Sequence, residues 1–102
     1  MTKYNILSNE ELQTALQKLS NWSYDKNNIV ANYEFDDFNT AIKFIIKSAI
    51  KIEEYNHHPE IYNNYNKVQF SFSTHNVGNK ITGADIKMAE IINKLASKFN
   101  AK

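Results

Sequence analysis

Between Phe38 and Val68 the hydrophobic period of this chain switches from that of a helix to that of a strand, and the switch limits what the chain can fold into. Phe38, Ala41, Ile42, Ile45, Ile46, Ala49 and Ile52 recur at helical spacing and predict one long amphipathic helix with an apolar stripe. Asp36 or Asp37 is placed to cap its start. Phe44 and Ile50 fall off that stripe, which fits either ordinary surface exposure or a helix face that packs on another subunit. Pro59 disfavours helical geometry at the residue before it, so the helix is expected to end before His58. Beyond it, Val68, Phe70, Phe72 and Thr74 alternate with Gln69, Ser71 and Ser73, the pattern of a strand with one apolar and one polar face.

The flanking segments repeat this logic. Ser8 and Glu11 form a capping-box pattern, and Leu12, Ala15, Leu16 and Leu19 follow at helical spacing, so a first helix is expected from about Asn9 to Ser20. Trp22 and Tyr24, the turn residues Asp25-Lys26-Asn27-Asn28, and the alternating Ile29, Ala31, Tyr33 and Phe35 read as a hairpin. Glu60 to Asn63 and the turn Asn64-Tyr65-Asn66 make a second hairpin with the Val68 strand. A loop from Asn76 to Ile81 leads to a last helix bearing Met88, Ile91, Ile92, Leu95 and Phe99, with Thr82 and Asp85 as its capping box. The expected fold is α+β: a four-stranded antiparallel sheet with three helices on one face, in the order α-β-β-α-β-β-α. The sheet face carrying Ser71 and Ser73 is left polar and partly open. One domain over residues 1–102 is expected at this length.

Composition removes several classes of function. Twelve basic and eleven acidic residues are interspersed, leaving no stripe to displace counterions from a phosphate backbone, so direct binding of nucleic acid is not expected. Phe44-Ile45-Ile46, the longest apolar run near the middle, is far short of the roughly 20 residues that span a membrane. There is no cysteine, hence no disulfide, thiolate nucleophile or cysteine-based zinc site. The N-terminal stretch has no apolar core of signal-peptide length, and a cytoplasmic protein is expected.

The chemically capable residues are concentrated in one stretch. His57, His58 and His75, the only proline, Pro59, and both glycines, Gly78 and Gly83, lie between His57 and Gly83. Histidine exchanges protons near neutrality. Adjacent residues in extended backbone point to opposite faces, so His57 and His58 are poorly placed to hold one metal ion, and none is expected. No Gly-x-Ser-x-Gly elbow supports a nucleophile, and two isolated glycines make no phosphate cradle. General acid and base chemistry remains, with Glu53 one turn before His57 able to orient an imidazole. Taken singly, each residue has a plainer explanation: Glu53 a solvated charge, His58 an extended junction, His75 a surface residue, Asp85 a helix cap, Tyr65 a turn aromatic. Their joint spacing is what favours a site.

That spacing runs Glu53, three residues, His57-His58-Pro59, five residues, Tyr65, nine residues, His75, and then Asp85 after a loop. It closely resembles the signature of the pterin-4a-carbinolamine dehydratases, and the strings His57-His58-Pro59-Glu60, Tyr65-Asn66-Lys67-Val68 and Ser73-Thr74-His75 resemble that family too. The resemblance spans nearly the whole chain in length and element order. It implies dehydration of a 4a-hydroxytetrahydropterin to a quinonoid dihydropterin, with His57, His75, His58 and Glu53 in catalysis. Substrate binding would fall to His58, Pro59, Ile61, Tyr65, Ser73, Thr74 and Asp85. No cofactor is implied, because the pterin is the substrate. A functional link to an aromatic amino acid hydroxylase is also implied. Separately from the resemblance, a homodimer or homotetramer is expected, because an exposed edge strand in a small antiparallel sheet favours pairing across subunits and the off-stripe Phe44 and Ile50 can build a helical interface. Asn56 stands where family members often carry Asp, and Ile61 where many carry Trp, so a neighbouring charge and a stacking face are exchanged for an amide and an aliphatic group. Two other functions suit the resemblance: a protein-binding module of the kind that serves as a dimerisation cofactor, and action on a different pterin. A pure scaffold has no physical reason to keep the catalytic spacing.

Overall fold

Side-chain alternation along the strands separates the two faces of the sheet and so decides where the helices can lie. The computed structural model describes residues 5–102. Its elements are α1 (Asn9–Gln17), β1 (Trp22–Asp25), β2 (Asn28–Glu34), α2 (Phe38–Tyr55), β3 (Glu60–Asn64), β4 (Lys67–Phe72), a 3-10 turn over His75–Val77, and α3 (Gly83–Lys98). The first four residues, part of the stretch read as lacking a signal sequence, lie outside the described residues. The strands form one antiparallel sheet in the order β1-β2-β4-β3. Opposite Ile29, Ala31 and Tyr33 on β2 stand Phe72, Phe70 and Val68 on β4, and all six are buried beneath the helices. The intervening pairs, Val30 with Ser71 and Asn32 with Gln69, face the other way and are partly or fully exposed. The expected element order, sheet and one-sided helix layer are all present. Among the described residues no helix is long and apolar enough to cross a membrane.

Capping follows the sequence closely. Ser8 and Glu11 close a full capping box at α1, as do Thr82 and Asp85 at α3. Asp37 accepts the Thr40 N–H at 2.8 Å, and its hydrogen bonds to Thr40 hold the carboxyl below the usual carboxylate range. Helix α1 stops at Gln17 rather than Ser20. Its last turn tightens to 3-10 spacing, with Lys18 N–H donating to Ala15 O and Leu19 N–H to Leu16 O.

The buried face of α2 is rotated from the expected stripe. Ala41, Phe44, Ser48 and Ile52 point inward, while Phe38, Ile46, Ala49 and Ile50 are exposed. Phe44 has no exposed surface and meets the rings of Tyr33, Phe35, Phe70 and Phe99 at centroid distances of 5.3, 4.8, 5.6 and 6.4 Å. Expecting Phe44 on an outer face was therefore wrong. Helix α2 is apolar around more than half its circumference, so periodicity finds a helix without fixing its centre line. Contact with α3 and β4 fixes that line.

Candidate active site

The two adjacent histidines are parted by how α2 ends. Asn56 adopts the left-handed conformation, φ 51° and ψ 46°, a cap geometry that favours Gly or Asn. Its N–H donates to Glu53 O and that of His57 to Ile52 O, which closes the helix and turns the chain outward. His57 is then directed inward, only 9% exposed, with its ring stacked on Phe72. The His58 side chain points outward and is 53% exposed. This division agrees with the opposite-faces expectation for neighbouring residues.

Each imidazole has its own carboxylate. His57 Nε2 lies 2.7 Å from Asp85 Oδ1, and His58 Nε2 lies 2.6 Å from Glu53 Oε2. The first pair is buried and the second is open to solvent. Asp85 is the one buried carboxylate among the described residues. Its Oδ2 accepts from Thr74 Oγ1 at 2.7 Å, from the Thr82 N–H at 2.9 Å and from Thr82 Oγ1 at 3.4 Å.

His75 arrives from the end of β4. The strand stops at Phe72, and the Thr74 N–H donates to Lys80 O at 2.9 Å, pinching off a loop. Inside it the Gly78 N–H donates to His75 O, with Gly78 at φ 75°. That positive φ is why a glycine suits the position.

His57, His58, Pro59, Ser73, Thr74 and His75 line one cleft of about 640 Å³. Its far wall is the β1–β2 turn, Lys26, Asn27 and Asn28. Sequence reading took these three only as turn residues. They reach the cleft because β2 starts beside the end of β4, where Ile29 pairs with Phe72. Nothing in the period of either strand states that pairing. Lys26 and Asn27 both have positive φ, and the turn is braced by Tyr24 OH donating to Asn27 Oδ1 and Asn28 Nδ2 donating to Lys26 O.

The other expected site residues stand elsewhere. Glu53 reaches the site through His58 rather than by lining it. Asp85, expected to touch substrate, has no exposed surface and is held by His57, Thr74 and Thr82. Ile61 and Tyr65 lie outside the cleft, 42% and 64% exposed. Ile61 pairs with Phe70 and so shares the helix side of the sheet, whereas Ser71 and its partner Glu60 face the open side. Tyr65 sits in the β3–β4 turn, with all six residues of β4 between it and Ser73, a strand length of roughly 20 Å.

Three imidazoles around a polar cleft are the side-chain type most often used in general acid–base chemistry. Fold and site together define a small α+β protein with a histidine cleft suited to proton transfer. The profile of the family described as pterin 4 alpha carbinolamine dehydratase matches residues 5–95, and the chain belongs to that family. A protein of Prochlorococcus marinus (strain MIT 9515), provisionally named a pterin-4-alpha-carbinolamine dehydratase, is 40% identical over 96 residues, covering 94% of this chain and 99% of its own. A similarly named protein of Burkholderia multivorans is 40% identical over 93 residues, covering 89% and 90%. The crystal structure of a transcriptional coactivator/pterin dehydratase from Brucella melitensis superposes with a TM-score of 0.86 at 37% identity, covering 90% of this chain and 99% of that one. A pterin dehydratase-like protein described as a RuBisCO assembly factor in the alpha-carboxysome superposes with a TM-score of 0.63 at 20% identity, covering 74% and 88%, and shares the fold.

Proposed function

We propose that this chain dehydrates a 4a-hydroxytetrahydropterin to the quinonoid dihydropterin and water. The observation that carries the proposal is the convergence of His57 and His75, from the end of α2 and the end of β4, on one cleft. Hydroxide is a poor leaving group until it is protonated, and the adjacent ring N–H must lose its proton as the C=N bond forms. One group that donates a proton and one that accepts a proton meet both needs, and the second proton restores the balance when water leaves. His57 and His75 take these two roles. His58, fixed by Glu53, positions the ring, and Pro59, Ser73 and Thr74 supply cleft wall. The reaction would serve pterin recycling after an aromatic amino acid hydroxylase, in the cytoplasm.

Stopped-flow absorbance of freshly generated 4a-hydroxytetrahydropterin tests this. Wild-type protein should accelerate its decay, and His57→Ala and His75→Ala should each lose at least about a hundredfold of that acceleration, the span of general acid–base contributions. No acceleration by folded wild-type protein, or full activity in both variants, overturns it.

Self-association as a homodimer or homotetramer is a second part of the proposal. It is supported by α2, where Phe38, Ile46 and Ile50 are 49%, 56% and 55% exposed along one side of the helix. A monomer mass by light scattering at assay concentration overturns it.

A further inference from the structure

We infer that Asp85 is a positioning residue, which fixes the rotation of the His57 ring and keeps a proton on its Nε2. The kinetic consequence of this inference rests on the dehydratase reading; the tautomer does not. A hydrogen-bonded chain sets the direction. The Ala84 N–H donates to Thr82 Oγ1, which lies 2.8 Å from Thr74 Oγ1, and Thr74 Oγ1 donates to Asp85 Oδ2. The Thr82 backbone N–H donates to the same oxygen. Oδ2 is thus committed to donors from Thr74 and from the α3 cap, and Oδ1 faces His57 Nε2 at 2.7 Å. A carboxylate accepts and does not donate, so the hydrogen between the two belongs to Nε2.

Capping α3 would need only Oδ2. The second oxygen gives the buried carboxylate a partner and gives the imidazole its tautomer. Stacking on Phe72 holds the plane of the ring while Asp85 sets its rotation about that plane. The His58–Glu53 pair is exposed on both sides and has no such network, so only one of the two adjacent imidazoles is locked.

Asp85→Asn makes a sharp test. The same cap donors must keep the amide oxygen, which turns the amide NH₂ toward His57 and makes Nε2 an acceptor. Long-range 1H–15N correlation spectra of the full chain with labelled histidine read the tautomer without any ligand. Wild-type His57 should carry its proton on Nε2, alone or together with one on Nδ1, and Asp85→Asn should move it to Nδ1. A wild-type ring protonated on Nδ1 only, or a variant with the wild-type tautomer, overturns the inference. Should Asp85→Asn fail to fold, the wild-type spectrum alone decides. In the kinetic assay the variant should lose at least about a hundredfold in kcat with KM changed less than about threefold, the scale of a lost acid–base group. A tautomer switch with kcat unchanged would leave the positioning intact and remove His57 from the proposed reaction.

Discussion

The imidazole of His57 lies nearly parallel to the ring of Phe72, with 12° between planes and 5.7 Å between centroids. Phe72 is wholly buried, so a core residue forms the seat of a site residue. Phe72→Leu keeps an apolar filler and removes the flat support. The folded variant should lose on the order of tenfold in dehydratase kcat, since small misplacements of a reacting group are costly. Steady-state kinetics on protein with a wild-type circular dichroism spectrum checks this.

The two off-stripe residues of α2 should behave in opposite ways. Phe44→Ala empties the meeting point of four aromatic rings and should cost about 3–5 kcal/mol. Ile50→Ala, on the exposed side, should change monomer stability by less than about 0.5 kcal/mol. Urea unfolding of both variants measures the contrast.

Removing the exposed partner of His58 should affect binding more than folding. Both members of the Glu53–His58 pair are largely solvated, so Glu53→Gln should cost under about 1 kcal/mol of stability. KM should rise by roughly two- to fivefold, the equivalent of that energy, with kcat little changed. The rise should shrink at high salt, where exposed pairs are screened.

A polar cluster under β1 and β2 should set an alkaline limit to stability. Asn93 Oδ1 accepts from Trp22 Nε1 at 3.0 Å and from the Tyr33 hydroxyl, while its Nδ2 donates to Ser20 O. Asn93→Leu strands two donors and should cost about 2–4 kcal/mol. Burial pushes the Tyr33 phenol above its ordinary value of 10.0, with the Trp22 N–H acting the other way. The unfolded chain then loses this proton at lower pH than the folded one. The stabilisation is therefore complete below pH 10.0 and declines as pH rises beyond it. Thermal melts from neutral to alkaline pH should show that decline.

Most of the fold was legible because its signals are local. Capping boxes at Ser8 and Thr82, alternation from Ile29 to Phe35, and the stop before Pro59 are each written within a few residues. The histidine cluster was legible for the same reason, and the separation of His57 from His58 follows from backbone geometry alone. What stayed hidden depends on packing between distant segments. The centre line of α2, the β1–β2 turn as a cleft wall, and the burial of Asp85 are all set by the β2–β4 register and by where α3 docks. The places of Ile61 and Tyr65 are likewise matters of sheet side and strand end, which the spacing of a motif does not encode.

The alternation along β4 has a consequence for descent. Phe70 and Phe72 fill the core while Ser71 faces the open side, so loss or gain of one residue within this strand would exchange the two sets. Phenylalanines would enter the cleft and serines the interior, and the seat of His57 would vanish in the same step. Lineages carrying this domain can vary the loops on either side in length, but β4 tolerates drift only by substitution.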